Sequence, residues 1–353
     1  MTRSAMHYFR WAFYVTAIGL ALTAWLGWAT FGTFSGMLSF LMIGVVLAVL
    51  EISLSFDNAI VNANKLETMS PLWQKRFLTW GILIAVFGMR ILFPVAVVAI
   101  AAQIGPWAAV KLAATNPNQY AHLMEEAHLG IAAFGGAFLM MVALSYFIDE
   151  AKEVHWIAMV ECQLRRCASI RGLQITMVLL LLLTFATILP DHKSATFLFA
   201  GLFGLVTFTL VEILGHLLDK HEQAQSAARA GGLGAFLYLE VLDASFSFDG
   251  VIGAFALTQN LFLIAIGLGI GAMYVRSMTI MLVEQKTLAQ FRYLEHGAFY
   301  SILALSVIMF AQSLTHIHEM ITGLIGAGLI LTALWSSMRW NKVNSAELSK
   351  KAE

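Results

Sequence analysis

Charge is what this sequence has least of. Only 12% of its 353 residues are Asp, Glu, Lys or Arg, against 59% hydrophobic, where a soluble globular chain carries about 25% charged residues. One soluble core cannot absorb that deficit, because apolar runs of 18 to 27 residues recur along the whole chain. Each is long enough to cross a hydrocarbon layer about 30 Å thick at about 1.5 Å per residue. Excess charge of either sign is also missing: 21 basic residues meet 21 acidic ones, so no nucleic-acid or other polyanion partner is implied. Cysteine is nearly absent. Cys162 and Cys167 are five apart, which is neither a redox CxxC nor a zinc pair, and both read as inert thiols. No phosphate loop, Ser-His-Asp set or HExxH occurs, so the chain does not read as an enzyme. A cleavable signal peptide is not expected, since 11–31 is too long for a signal core and reads as the first membrane helix.

What is present is a series of ten apolar spans, at about 11–31, 37–60, 78–104, 129–148, 173–189, 194–218, 232–257, 259–282, 297–315 and 319–338. The fold class expected is therefore all-α, a polytopic membrane protein in one membrane domain over 1–353. Placing the N-terminus in the cytoplasm assigns seventeen Lys and Arg to inside segments and only Lys111 and Lys193 outside, with Arg90 and Arg276 inside spans. That asymmetry obeys the positive-inside rule and predicts that both termini are cytoplasmic, with 339–353 a cytoplasmic tail. Segment 105–128 falls outside, as a loop or an interfacial helix.

Ionisable residues at bilayer depth cost about 2.5 to 3.5 kcal/mol on insertion scales, so each needs a reason. Span 2 holds Glu51-Ile-Ser-Leu-Ser-Phe-Asp57-Asn58, and span 7 holds Glu240-Val-Leu-Asp243-Ala-Ser-Phe-Ser-Phe-Asp249-Gly250. An offset of 192 aligns Glu51 with Asp243, Ser53 with Ser245, Ser55 with Ser247 and Asp57 with Asp249. The two spans lie five helices apart and run in opposite directions. The chain therefore reads as an inverted repeat, 11–189 and 194–338, which is how transporters build a binding site near the midplane. Arg90 and Arg276 each follow a motif by one helix and are placed to balance its charge.

Residues six apart sit about 240° round a helix, so Glu51 and Asp57 cannot share a face, nor can Asp243 and Asp249. The expectation drawn is that both helices break near Ser-Phe-Asp, with Asn58 and Gly250 in left-handed conformations and freed carbonyls joining the carboxylates. The motifs offer carboxylate, hydroxyl, amide and carbonyl oxygens without His or Cys. Such donors suit Mg²⁺, Ca²⁺ and Mn²⁺ rather than Zn²⁺ or Cu. The expected metal ligands are Glu51, Asp57, Glu240, Asp243 and Asp249, with Ser55, Ser247 and Asn58 as auxiliary oxygens. Five acids against two arginines favour a divalent over a monovalent ion, and surplus acids would allow exchange for protons. The metal is cargo; no prosthetic group is expected.

At these motifs, and in the strings LEVLDASFSFDGVIGAFALTQN and YLEHGAFYS, the chain resembles the TerC family of integral membrane proteins, over roughly 44–110 and 205–310. The resemblance implies manganese export across a bacterial inner membrane, with the acids Glu51, Asp57, Glu240, Asp243 and Asp249 handling the metal. Departures are Gly250, where the family has Ser, Asn260, where it has Asp, and the loss of a Ser-Asn pair before the arginine of the next helix.

Two rival readings remain: a membrane protein that binds metal or assists assembly without transport, and an intramembrane enzyme using the buried carboxylates. Glu212 and His216 share a helix face and read as a structural pair. His122, His128, His192, His316 and His318 fall in external segments near Glu125, Glu126 and Glu319, and read as polar loops with a metal-binding rim as the sharper alternative. The charged stretch 149–171 reads as a topology determinant that meets anionic headgroups. Glycines 267, 269, 271 and 323 to 328 permit close helix approach, and a homo-oligomer stays open.

Overall fold

A computed structural model describes residues 5–81, 84–150, 152–225, 232–315, 317 and 319–352. The described residues are helical with no strand, as a chain must be if its backbone polar groups are to be satisfied inside lipid without a closed barrel. The helices are α1 (Ala5–Phe31), α2 (Phe34–Leu54), α3 (Phe56–Glu67), α4 (Pro71–Arg76), α5 (Phe93–Ala101), α6 (Pro106–Thr115), α7 (Pro117–Phe147), α8 (Ala158–Arg166), α9 (Leu173–Ile188), α10 (Asp191–Gln225), α11 (Leu233–Leu257), α12 (Leu261–Glu284), α13 (Thr287–Gln290), α14 (Leu294–Gln312) and α15 (Glu319–Ala352). Between α4 and α5 the chain is π-helical over Phe77–Gly81 and Ile84–Leu92.

All ten apolar spans fall on helices. Seven of the helices are long and apolar enough to cross a membrane by themselves. The spans at 78–104, 173–189 and 232–257 are not among them, for three different reasons. The first is pieced together from π and α segments. The second is a 16-residue helix. The third carries Glu240, Asp243 and Asp249.

Burial sorts the helices into shells. In the crossing windows, 72% of α7 and 61% of α12 and of α14 are buried, against 22% of α1 and of α15. The inner three are therefore the core, and the outer two present apolar side chains to lipid. On α1, Trp11 and Tyr14 near one end and Trp25 and Trp28 near the other are exposed, the two pairs centred about 21 Å apart along the axis, as aromatic belts at two interfaces would be. Pairings recur in the two halves: α1 packs on α2 and α10 on α11; α2 on α12 and α11 on the π segment; α3 on α14 and α11 on α7; α7 on α9 and α14 on α15.

Several expectations are corrected. Only the first motif breaks its helix: α2 ends at Leu54, α3 starts at Phe56, and Ser55 between them has φ −103° and ψ 17°. Helix α11 runs unbroken through 245–250. Neither Asn58 nor Gly250 is left-handed; positive φ occurs at Gly32, Gln103, Gly172 and Lys286. Across the break, Ser55 N–H still donates to Glu51 O and Ala59 N–H to Ser55 O. Segment 105–128 forms α6 and the first turns of α7, and 339–352 continues α15 as helix.

The π segment has a cause in sequence. Pro94 carries no N–H and cannot donate to the carbonyl four residues back, at Arg90. Wide turns ahead of it carry Arg90 into the interior, where it is 4% exposed.

Candidate functional site

One buried cavity collects most of the residues singled out above. Its walls include Glu51 and Ser55 from the end of α2, Asn58 and Asn62 from α3, Gly81 and Arg90 from the π segment, Asp243 and Ser247 from α11, and Arg276 and Thr279 from α12. It holds about 50 Å³ open to water-sized groups, enough for one ion with little water. Asn58 and Asn62 are four apart and therefore share a face of α3.

Glu51 is nearly fully buried and its Oε1 accepts from Ser55 Oγ at 3.0 Å and from the Arg90 guanidinium. Arg90 Nε also donates to Leu268 O at 3.2 Å, fixing the guanidinium between α2 and α12. Two glycines bring backbone up to this acid. A Cβ on Gly271 would stand 2.4 Å from Glu51 Cβ, and one on Gly250 would stand 2.9 Å from Glu51 Oε2. So Gly250 lies where α11 approaches Glu51 Oε2. Asp243 accepts from Asn62 Nδ2 at 2.9 Å. The aligned acids of the two motifs, Glu51 and Asp243, thus face the same space.

Asp57 and Glu240 do not join them. Asp57 lines a second, smaller cavity, where its Oδ2 accepts from Ser301 Oγ at 2.7 Å and its Oδ1 from Asn58 N–H at 2.8 Å. Glu240 is buried one turn before Asp243, with neither carboxylate oxygen hydrogen-bonded and Oε1 against Gly81. The side chain of Asp249 lies outside the described residues. Among those described, no three His, Cys, Asp or Glu residues are placed to hold a metal together. Arg276 reaches the main cavity but donates from Nε and Nη2 to Leu78 O, at 3.1 and 2.7 Å. It ties α12 to the π segment.

Residues 56–344 match the family described as Protein of unknown function (DUF475). The chain belongs to that family. No curated protein and no solved structure matches it. The DUF475 match begins one residue after the break, so it takes in Asp57, Asn58, Asn62, Arg90 and the whole second motif but leaves Glu51 and Ser55 outside.

A second polar cluster in this DUF475 chain was not legible beforehand. Glu161 on α8 is fully buried; its Oε1 accepts from the N–H groups of Trp156 and Ile157 and from Tyr300 Oη. Lys152 Nζ lies 3.1 Å from its Oε2, with His155 and His296 at 3.4 and 3.5 Å. Burial alone would raise this carboxyl, but the Ile157 N–H, Lys152 and His296 outweigh it and hold Glu161 below the usual glutamate range. Lys152 therefore turns inward, and does not face headgroups as the charged stretch suggested. The cluster gives a structural reading to YLEHGAFYS. Glu295 accepts from Asn64, His296 bonds Val154 O, Gly297 lets α15 approach, Tyr300 holds Glu161 and Ser301 holds Asp57.

Other candidates are quieter. His122, Glu125, Glu126, His128 and His192 line one wide, open cavity of about 710 Å³, with an exposed His122–Glu126 contact of 3.4 Å. His316, His318 and the side chains of Glu319 and His216 lie outside the described residues. Glu212 is exposed. Asn260 accepts from Leu263 N–H as the N-cap of α12, a role Asp fills equally well.

Proposed function

We propose that this protein carries a divalent metal ion across a bacterial inner membrane, with Mn²⁺ the cargo that the TerC resemblance implies. The observation that carries the reading is that Glu51 from one half and Asp243 from the other line a single buried cavity. Among the described residues, the other polar groups around them are the neutral side chains of Ser55, Asn58, Asn62, Ser247 and Thr279 and two arginines. Oxygen donors select hard cations, and two carboxylates with neutral oxygens make a site that binds cargo without trapping it. Conduction needs that balance.

Arg90 is the switch in this scheme. In the empty site its guanidinium neutralises Glu51; an entering cation competes for the same oxygen, and as the ion leaves Arg90 returns. Glu51 and Asp243 supply two carboxylates for one divalent ion, and Glu240, buried with neither oxygen hydrogen-bonded, suits a proton taken up when the ion departs. The recurring helix pairings support an inverted repeat, 11–189 and 194–338, with the cavity at its interface. The Lys and Arg distribution supports a cytoplasmic position for both termini.

The test is to measure binding and flux on the same purified protein. Mn²⁺ titrated calorimetrically in nanodiscs should bind, and Mn²⁺ should enter proteoliposomes, with Mg²⁺ and Ca²⁺ competing better than Zn²⁺. Binding without flux would point instead to a metal-binding or assembly protein. Turnover of a lipid or peptide with no ion movement would point to an enzyme.

A further inference from the structure

We propose that Asp57 forms a separate site for one sodium ion, a second coupling ion beside the proton on Glu240 in the transport reading. The site sits between α3, α14, α15 and α11, where Asp57, Ser301 and Thr322 line a cavity with about 20 Å³ open to water-sized groups. All three are deeply buried, at 5%, 2% and 6% exposure. Thr322 Oγ1 lines this space and has no hydrogen-bond partner, which is costly for a buried hydroxyl unless a ligand uses it.

Charge and donor chemistry choose the ion. Among the described residues the lining holds a single carboxylate and no Lys, Arg or His, so one positive charge completes it, and a buried carboxylate without a counter-charge is unfavourable. The Asn58 N–H and the Ser301 hydroxyl are aimed at the two carboxylate oxygens, and Asp57 sits in the first turn of α3, where the helix dipole favours a negative side chain. Those features suit a carboxylate balanced by a cation rather than a carboxylic acid. The space is too small and too poor in charge for a divalent ion with its waters. Gly326 keeps it open: a Cβ there would stand 2.7 Å from Ser301 Oγ.

The site stands on this geometry alone; its coupling role rests on the transport reading. The experiment follows thermal unfolding of the protein in nanodiscs, in choline chloride with divalent ions chelated, titrated with NaCl and separately with KCl. A saturable rise in Tm specific to NaCl is expected in the parent and in Asp243→Asn, and none in Asp57→Asn. Thr322→Val and Gly326→Ala should need about tenfold more NaCl, as loss of one charge-assisted contact would give. No NaCl-specific rise in the parent, a rise with acid only, or a rise that survives both Asp57→Asn and Thr322→Val would overturn the proposal. Should Asp57→Asn fail to fold, Thr322→Val and Gly326→Ala decide. Mn²⁺ flux on the same preparations separates the two readings. Sodium binding without flux sinks transport and leaves the site; flux without sodium binding does the reverse.

Discussion

The two acidic motifs share a pattern but not a backbone. In the first half the helix stops at Leu54 and restarts at Phe56; in the second, α11 passes straight through the equivalent residues. Yet both present their aligned acids, Glu51 and Asp243, to the common cavity, and Asp57 faces elsewhere. The break does not reunite acids that helical spacing separates. What it does is give the first half a new helix N-terminus, placing Asp57 in its opening turn and turning Asn58 and Asn62 toward Asp243. The asymmetry divides the labour: one half supplies an acid paired with arginine, the other an acid paired with an amide.

The largest expected effect separates the two arginines. Arg90→Met would strand the buried Glu51 charge and destabilise the protein by about 3–5 kcal/mol. Arg276→Met loses bonds to one carbonyl, costing about 1–2 kcal/mol. Thermal unfolding in detergent at fixed lipid content measures both, and equal losses would erase the distinction drawn between the halves. Next come the two glycines that approach Glu51. Gly271→Ala must push α12 off α2 and should cost about 1–3 kcal/mol. Gly250→Ser meets only a carboxylate oxygen, so it should fold normally and weaken Mn²⁺ binding several-fold as its hydroxyl occupies Glu51. A third pair contrasts serines. Ser55→Ala leaves Glu51 one donor short, about 1–2 kcal/mol. Ser245 donates only to Val241 O, one turn back in its own helix, so Ser245→Ala should stay within about 0.5 kcal/mol.

Most of the helices were legible in the sequence because apolar length dictates them. The convergence of Glu51 and Asp243 was legible too, since acids at matching positions of two apolar spans have few other uses. The backbone details were not. Both motifs contain Ser-Phe-Asp, and nothing local says that one yields and the other holds; tertiary packing decides. The π segment had a signal in Pro94 that apolar periodicity does not register. Asn62, Ser301 and Thr322 went unnoticed because a single polar residue in an apolar helix reads as filler until its partner, 181 or 244 residues away, is placed beside it. Glu161 was hidden for the opposite reason: in a charged stretch, one buried acid looks like its exposed neighbours.

The smallest effect is a pH dependence that should leave the cavity untouched. Glu161 titrates lower when folded than its ordinary value of 4.5, so its stabilising contribution is complete above that value. It is lost as pH falls below it, through the lowered folded value. Hydrogen exchange should show residues 152–166 loosening in that acid range before α7, α12 or α14, and Glu161→Gln should remove the acid sensitivity. Loosening that begins instead in the core helices would place the acid-sensitive group elsewhere.

The most direct measurement is Mn²⁺ flux into proteoliposomes for Glu51→Gln, Asp243→Asn and the double variant. If the two acids grip one ion, each single change should lower flux by about a hundredfold, the loss of one charged ligand, and the pair should do little further harm. Single losses that multiply in the double variant, or a single variant that transports like the parent, would mean that the two halves do not share a cargo.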